Sequence, residues 1–523
     1  MAELAVDRPQ LLKTMRWWDG FVIALANPGF LLVGLAGSVV TLGPKWASII
    51  WFSSAVVGAL QAYIYAEPAA MFPDKSGGLS MYAKEGWKRH FSLAGPIATF
   101  GYWFAWSSVL AIYGGIIGTL LLSRFWPSTL ADPLIFHLLF IDVTWPRVIG
   151  GVCILSCYLF NIRGMRPAVW FSYVTGAMMV IPVLALAFIP LVNGDITSHA
   201  LGANLIAANV EFYDKTASAA GFNQVAMAIV WFWVIAWSSY GPEAPATFAP
   251  EFVDTKNDTR YAIISAGLLN VVLALLLPLT IVAVLGLGAI QSDLTFIAYL
   301  TTALDQTVGQ TLGGLFVVFI CAGLLLSMNT ATMDGSRALF GMARDGLTFR
   351  QLDQLNSHSV PSRAMTVDLL LNIGLLFIAP TLLFTLVAGN IGYVLSHVLA
   401  LSGFLLLRRD RPNWPRPLKL GPMWIVIAWF CLAVNLIGTV FGVIWIHYTG
   451  YLLKYTSADL STWDPKYYSL AAIVTGTLVL AFGVLGYVVG QRQHGRKFSW
   501  RDTSEDTPSP EVYALMGAPA AGD

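Results

Sequence analysis

The sequence predicts an all-α membrane protein of about twelve transmembrane helices, arranged as two five-helix halves of inverted topology followed by two further helices. Three observations carry this reading. Of 523 residues, 57% are hydrophobic and only 11% are charged, and the mean hydropathy of +0.68 is too high for a soluble chain of this length. Apolar runs of membrane-spanning length recur along the whole chain. The first and sixth runs are each interrupted, at Ala26-Asn27-Pro28-Gly29-Phe30 and at Ser239-Tyr240-Gly241-Pro242-Glu243.

In order, the spans are predicted over residues 17–40, 46–66, 96–122, 146–162 and 168–192, forming the first half (17–192). The second half (222–407) follows with spans at 222–249, 261–289, 309–335, 366–387 and 389–407. The two additional spans, 422–447 and 468–490, lie within 422–490. Residues 1–16 form a polar lead, and 491–523 have the polar, Pro-containing composition of a disordered tail. Loops near 123–145 and 193–221 are long enough for short surface helices. With both termini cytoplasmic, 24 of the 30 Lys and Arg fall on the inside, so the positive-inside rule favours an even span count. The first apolar run is longer than a signal h-region and lacks a small-x-small cleavage site, so it is expected to remain as a helix.

Several function classes are disfavoured. The sequence contains no GxxxxGK[ST] loop for a nucleotide and no HExxH pair for a metal. Cys153, Cys157, Cys321 and Cys431 all fall within predicted spans without the spacing of a zinc site or disulfide framework, so packing is their expected role. No cofactor, metal or nucleic acid is implied. A membrane enzyme would need a clustered nucleophile or acid–base pair, and a channel would be expected to show rings of polar pore residues.

The paired breaks point elsewhere. Within a bilayer, backbone groups freed by Pro and Gly are tolerated only where they meet protein, water or a ligand. A five-helix repeat has odd parity, so the two halves insert in opposite senses and their first helices meet antiparallel near the midplane. Each break then offers carbonyls, which attract cations, and amides, which attract anions. A zwitterion or amine suits such a pocket, and the pattern reads as a secondary transporter.

Trp237-Ser238-Ser239-Tyr240-Gly241-Pro242-Glu243, with Glu251-Phe252-Val253-Asp254 after it, resembles the sixth helix of the amino acid-polyamine-organocation (APC) superfamily of permeases. Similar matches are Glu67 with Met71-Phe72-Pro73 and Gly77-Gly78, Asn161-Ile162-Arg163-Gly164, and Asn329-Thr330 through Gly335-Ser336-Arg337 and Met342-Ala343-Arg344-Asp345-Gly346-Leu347. Leu407-Arg408-Arg409 with Arg416-Pro417-Leu418-Lys419 extends the resemblance to about residue 420. It implies a LeuT-type fold of ten core helices plus two, in the plasma membrane, working by alternating access. It also implies that Ala26, Asn27, Gly29 and Phe30 hold a carboxylate or polar head, that carbonyls near Trp237, Ser238, Tyr240 and Gly241 hold an amino group, and that Trp237 packs on the solute.

Two departures matter. Ala26 and Pro28 stand where the family has glycines, Pro28 has no N–H, and Asn27 is positioned to cap the neighbouring amides, which tilts recognition toward an amine or an unusual amino acid. The fifth span carries Gly176, Ala177, Met178 and Met179 where some proton-coupled relatives place a lysine. Glu243 is then the candidate for proton coupling, against a plain role capping the second half-helix. Sodium is the alternative ion, through the hydroxyls of Ser327, Thr330 and Thr332, whose ordinary role would be interhelical hydrogen bonding. Asp334 is expected to form a local ion pair with Arg337, three residues on.

Overall fold

The computed structural model describes residues 11–27, 35–139, 141–194, 224–292, 296–378, 382–446, 465–503 and 507–517. The first span is split into α1 (Trp17–Ala24) and α2 (Leu35–Leu42). The first half continues with α3 (Pro44–Met71), the short α4 (Gly78–Trp87), α5 (Ala94–Ser107), α6 (Val109–Phe125), α7 (Pro127–Ala131), α8 (Trp145–Ile162) and α9 (Met165–Val192). The sixth span is α10 (Gln224–Ser239) and, after the break, a 3-10 helix (Ala244–Glu251). Then follow α11 (Thr255–Ser292), α12 (Phe296–Val308), α13 (Gln310–Arg344), a short 3-10 turn, α14 (Ser362–Ile378), α15 (Leu382–Asp410), α16 (Met423–Ile444), α17 (Pro465–Gln493) and α18 (Pro510–Leu515).

Among the described residues, ten helical stretches are long and apolar enough to cross a membrane. The other two expected spans are the broken first one and that of α14, described over Ser362–Ile378. The chain is an all-α membrane protein, with one exception. The loop near 123–145 holds, besides α7, an antiparallel hairpin of β1 (Leu134–Leu138) and β2 (Ile141–Thr144), with a register shift between Leu134 and Phe136. Nearly all of the loop at 193–221 lies outside the described residues.

Two pairings between spans bear on the site. The third span packs on the tenth through α5 and α15, and the eighth packs on the fifth through α13 and α9, which is the same pairing shifted by five spans. The α5–α15 approach depends on small residues: a Cβ on Gly101 would lie 2.5 Å from the Gly392 carbonyl oxygen, so two glycines let these helices touch backbone to backbone. Their neighbours Tyr102 and Tyr393 are brought within 6.0 Å between ring centroids.

One end of the bundle gathers the basic loops. There Glu67 accepts from Arg408, from Arg416 Nε at 3.1 Å and from the Leu420 amide at 2.9 Å. Glu85, 1% exposed, faces Lys75, Lys84, Lys88 and Arg411 at 2.7, 2.9, 3.5 and 3.1 Å. The tail expected to be disordered from 491 is folded in its described parts, because its few apolar side chains find surfaces to cover. Trp500 stacks on Phe91, its carbonyl accepts from the Ser92 amide at 2.9 Å, and α18 buries Val512 while Glu511 pairs with Lys13 at 2.8 Å.

Candidate functional site

The first half-helix ends in tightened turns, with Ala26 N–H donating to the Ile23 carbonyl at 3.3 Å and Asn27 N–H to the Ala24 carbonyl at 3.1 Å. Two hydroxyls of α13 complete this end: Ser327 donates to the Ala26 carbonyl at 2.7 Å and Thr330 to the Ile23 carbonyl at 3.0 Å. Thr332 donates instead to Met328 on its own helix at 3.0 Å. These hydroxyls therefore make the hydrogen bonds expected of core Ser and Thr. Pro28, Gly29 and Phe30 lie outside the described residues.

The second break has a defined cause. The Gly241 N–H, which would continue α10, donates to Glu243 Oε2 at 2.7 Å, and Pro242 has no N–H to offer the Ser238 carbonyl. Gly241 adopts φ +125°, open to glycine and strained for other residues. The Ser238 carbonyl thus loses its regular helical donor, while Ser239 O accepts from Asn270 Nδ2 at 2.7 Å and Ser239 Oγ contacts Ser54 Oγ at 2.6 Å. Glu243 does not cap the first-turn amides of the 3-10 helix that follows it; it turns back to Gly241.

The two breaks meet. A Cβ on Gly241 would lie 2.7 Å from Asn27 Oδ1, so the Asn27 amide packs on the Gly241 backbone. Asn27 is 1% exposed, and among the described residues neither its Oδ1 nor its Nδ2 has a hydrogen-bond partner. The Tyr240 hydroxyl, equally buried, is also unpartnered. Buried polar atoms of this kind call for a bound group, since native interiors rarely leave them unsatisfied.

Sequence reasoning missed the partners of Glu243. Tyr393 Oη donates to Glu243 Oε1 at 2.6 Å, His397 Nε2 stands 3.7 Å from the same oxygen, and His397 Nδ1 bonds Tyr65 Oη at 2.9 Å. His397 is a fully buried ionisable residue in an apolar span, which was the available signal. The Tyr240 ring stands 5.0 Å from His397, edge to face.

Of the tryptophans on α10, Trp233 packs against Gly442 of α16, whereas Trp237 stands 6.2 Å from Tyr113. Trp237 also lines a cavity of about 10 Å³ with Ala105, Trp106, Val109 and Tyr393. That volume holds about one water molecule. Ala26 and Ser238 are buried.

The profile of the family described as amino acid permease matches residues 15–480. The chain belongs to the amino acid permease family. This agrees with the resemblance read from the motifs at Trp237–Glu243 and Asn329–Leu347. Curated relatives include the D-serine/D-alanine/glycine transporter of Escherichia coli K12, 26% identical over 135 residues that cover 23% of this chain and 28% of the relative. The protein of the same description from Escherichia coli O6:H1 is 25% identical over 126 residues, covering 23% of this chain and 26% of the relative. The alignment thus spans little more than a quarter of the length of the relatives it matches. Two contacts join the matched motifs: the sixth-span motif surrounds the Asn27–Gly241 contact, and Glu67 with Arg408 and Arg416 joins the stretches after the second and tenth spans.

Proposed function

We propose that this permease moves an amino acid or a related small amine across the plasma membrane by alternating access, coupled to protons. The observation that carries the reading is the contact of the two breaks, where the buried amide of Asn27, unpartnered among the described residues, packs on the Gly241 backbone next to the Ser238 carbonyl, to which Pro242 offers no helical donor. Together they present donors and acceptors to a small solute that is both polar and charged. Residues 17–192 and 222–407 act as the two repeats, and the face holding the Glu67 and Glu85 ion pairs is cytoplasmic. Glu243 carries the coupling proton, supported by its burial beside Tyr393 and His397. The ring of Trp237 covers the solute. The small solutes named for the relatives, D-serine, D-alanine and glycine, are the first to test.

Uptake of these three compounds and of their decarboxylated amines into proteoliposomes is the deciding measurement, with a proton gradient and a sodium gradient imposed separately. Saturable uptake driven by the proton gradient is expected. Non-saturating flux would indicate a channel, a chemically altered solute an enzyme, and dependence on the sodium gradient alone would move the coupling away from Glu243.

A further inference from the structure

A second buried carboxylate lies outside the solute site. Asp334 on α13 is 0% exposed, and the ion pair expected with Arg337 does not form. Arg337 is committed elsewhere: its Nε and Nη2 bind Glu251, its Nη1 donates to the Met333 carbonyl at 2.9 Å, and its guanidinium covers the Phe248 ring at 4.9 Å. Both oxygens of Asp334 are left without a hydrogen-bond partner among the described residues.

The surroundings of Asp334 are made of oxygen. The hydroxyls of Tyr102 on α5 and Thr247 on the 3-10 helix stand beside the carboxylate, 0% and 1% exposed, within hydrogen-bonding influence of it though neither meets the geometry of a full hydrogen bond. Asp368 on α14 flanks the same stretch of α13. Its Oδ1 accepts from Trp103 Nε1 at 2.5 Å, while its Oδ2 is unpartnered and lies 3.5 Å from where a Cβ on Gly335 would sit. The titratable and charged groups facing Asp334 are Glu243, Arg337, Tyr102 and Tyr393, with Asp368 next to the cluster.

An ionised carboxylate buried in a membrane span without donors is costly enough that it binds a counter-charge or a proton. A lining of hydroxyl and carboxylate oxygens suits a proton or a small hard cation. We propose that Asp334, Tyr102 and Thr247, with Asp368 beside them, form a site for one small monovalent cation, H⁺ or Na⁺, separate from Glu243 and from the solute pocket. This site ties α13 to the 3-10 helix of the sixth span, two elements that also share the Arg337–Glu251 pair.

Infrared difference spectroscopy of the purified full chain, without added solute, tests the proposal independently of the transport reading. If H⁺ is the occupant, a protonated carboxyl stretch is present near neutral pH in sodium-free buffer and disappears in Asp334→Asn. If Na⁺ is the occupant, sodium chloride but not choline chloride moves a carboxylate band and raises the melting temperature, and both effects vanish in Asp334→Asn. Tyr102→Phe and Thr247→Ala keep the carboxylate, and each should shift the same band or weaken Na⁺ binding by about tenfold, the effect of one lost oxygen contact. An Asp334 that is ionised at neutral pH and insensitive to sodium, or a band untouched by both hydroxyl variants, would overturn the proposal.

Discussion

The side-chain amide of Asn27 packs on the backbone of Gly241, 214 positions along the chain, at a distance that leaves no room for a Cβ. The break in the first span and the break in the sixth are therefore two sides of one contact. Gly241→Ala combines a 2.7 Å clash with a backbone at φ +125°, the latter alone costing about 1–2 kcal/mol. Thermal stability should fall accordingly, and uptake with it. Asn27→Ala on the same background removes the clash but not the strain, so it should restore folding in part, read by thermal melting, and leave uptake low.

Glu243→Gln should flatten the pH dependence of transport. The Tyr393 hydroxyl holds one carboxylate oxygen at 2.6 Å and the Gly241 amide the other at 2.7 Å, and the neutral amide keeps the shape while losing the proton. His397→Gln should displace the pH profile without abolishing it, because the imidazole stands 3.7 Å away and is anchored by Tyr65. Initial uptake rates across a pH series make the comparison. An unchanged profile in Glu243→Gln with good expression would assign the carboxylate to holding the Gly241 turn.

Trp237→Ala should weaken solute affinity by about 1–2 kcal/mol, the worth of a desolvated aromatic face over a cationic group. Trp233→Ala, on the same helix but packed against Gly442, should lower thermal stability instead. Measuring apparent affinity and melting temperature for both variants separates a solute contact from a packing contact.

How far the sequence discloses these features depends on the range of the interactions involved. The breaks are legible because Pro and Gly act on their own backbone, and the spans because apolarity is a property of each segment. The partners of Glu243 are not, since Tyr393 lies 150 positions away and only the fold joins them. Asp334 shows the opposite failure: a three-residue spacing to Arg337 satisfies a local rule, but Glu251, 86 positions from Arg337, offers a bidentate pairing and wins. In the tail, composition averages hide Trp500 and Val512, which suffice to dock their stretches on the bundle.

Glu85 gives the basic end of the bundle an acid-labile fastening. Burial pushes its carboxyl up, but Lys84, Lys75, Lys88 and Arg411 outweigh burial and hold it well below the usual carboxylate range. A depressed folded-state value contributes stability that is complete above the unfolded value of about 4.3 and is lost as pH falls through the folded one. Acidification below about pH 4.3 should therefore lower the melting temperature of the wild type more steeply than that of Glu85→Gln. At neutral pH Glu85→Gln should be the less stable by about 3–5 kcal/mol, because it leaves buried cations without their partner.

The charge preference of the pocket follows from the same contact that joins the breaks. Pro28 supplies no amide, so the anion-binding end of the first break has one donor fewer than a Gly-x-Gly turn. The cation-attracting end has no such deficit: Pro242 withholds a donor from the Ser238 carbonyl, and Glu243 adds a carboxylate nearby. Asn27, unpartnered on both atoms, can meet either end of a solute but brings no charge. Amines should consequently compete for uptake at least as well as the amino acids from which they derive. Competition by paired compounds, each amine against its carboxylated parent, measures this. A consistent preference for the parent would mean that Asn27 with the amides of Gly29 and Phe30 is sufficient to hold a carboxylate.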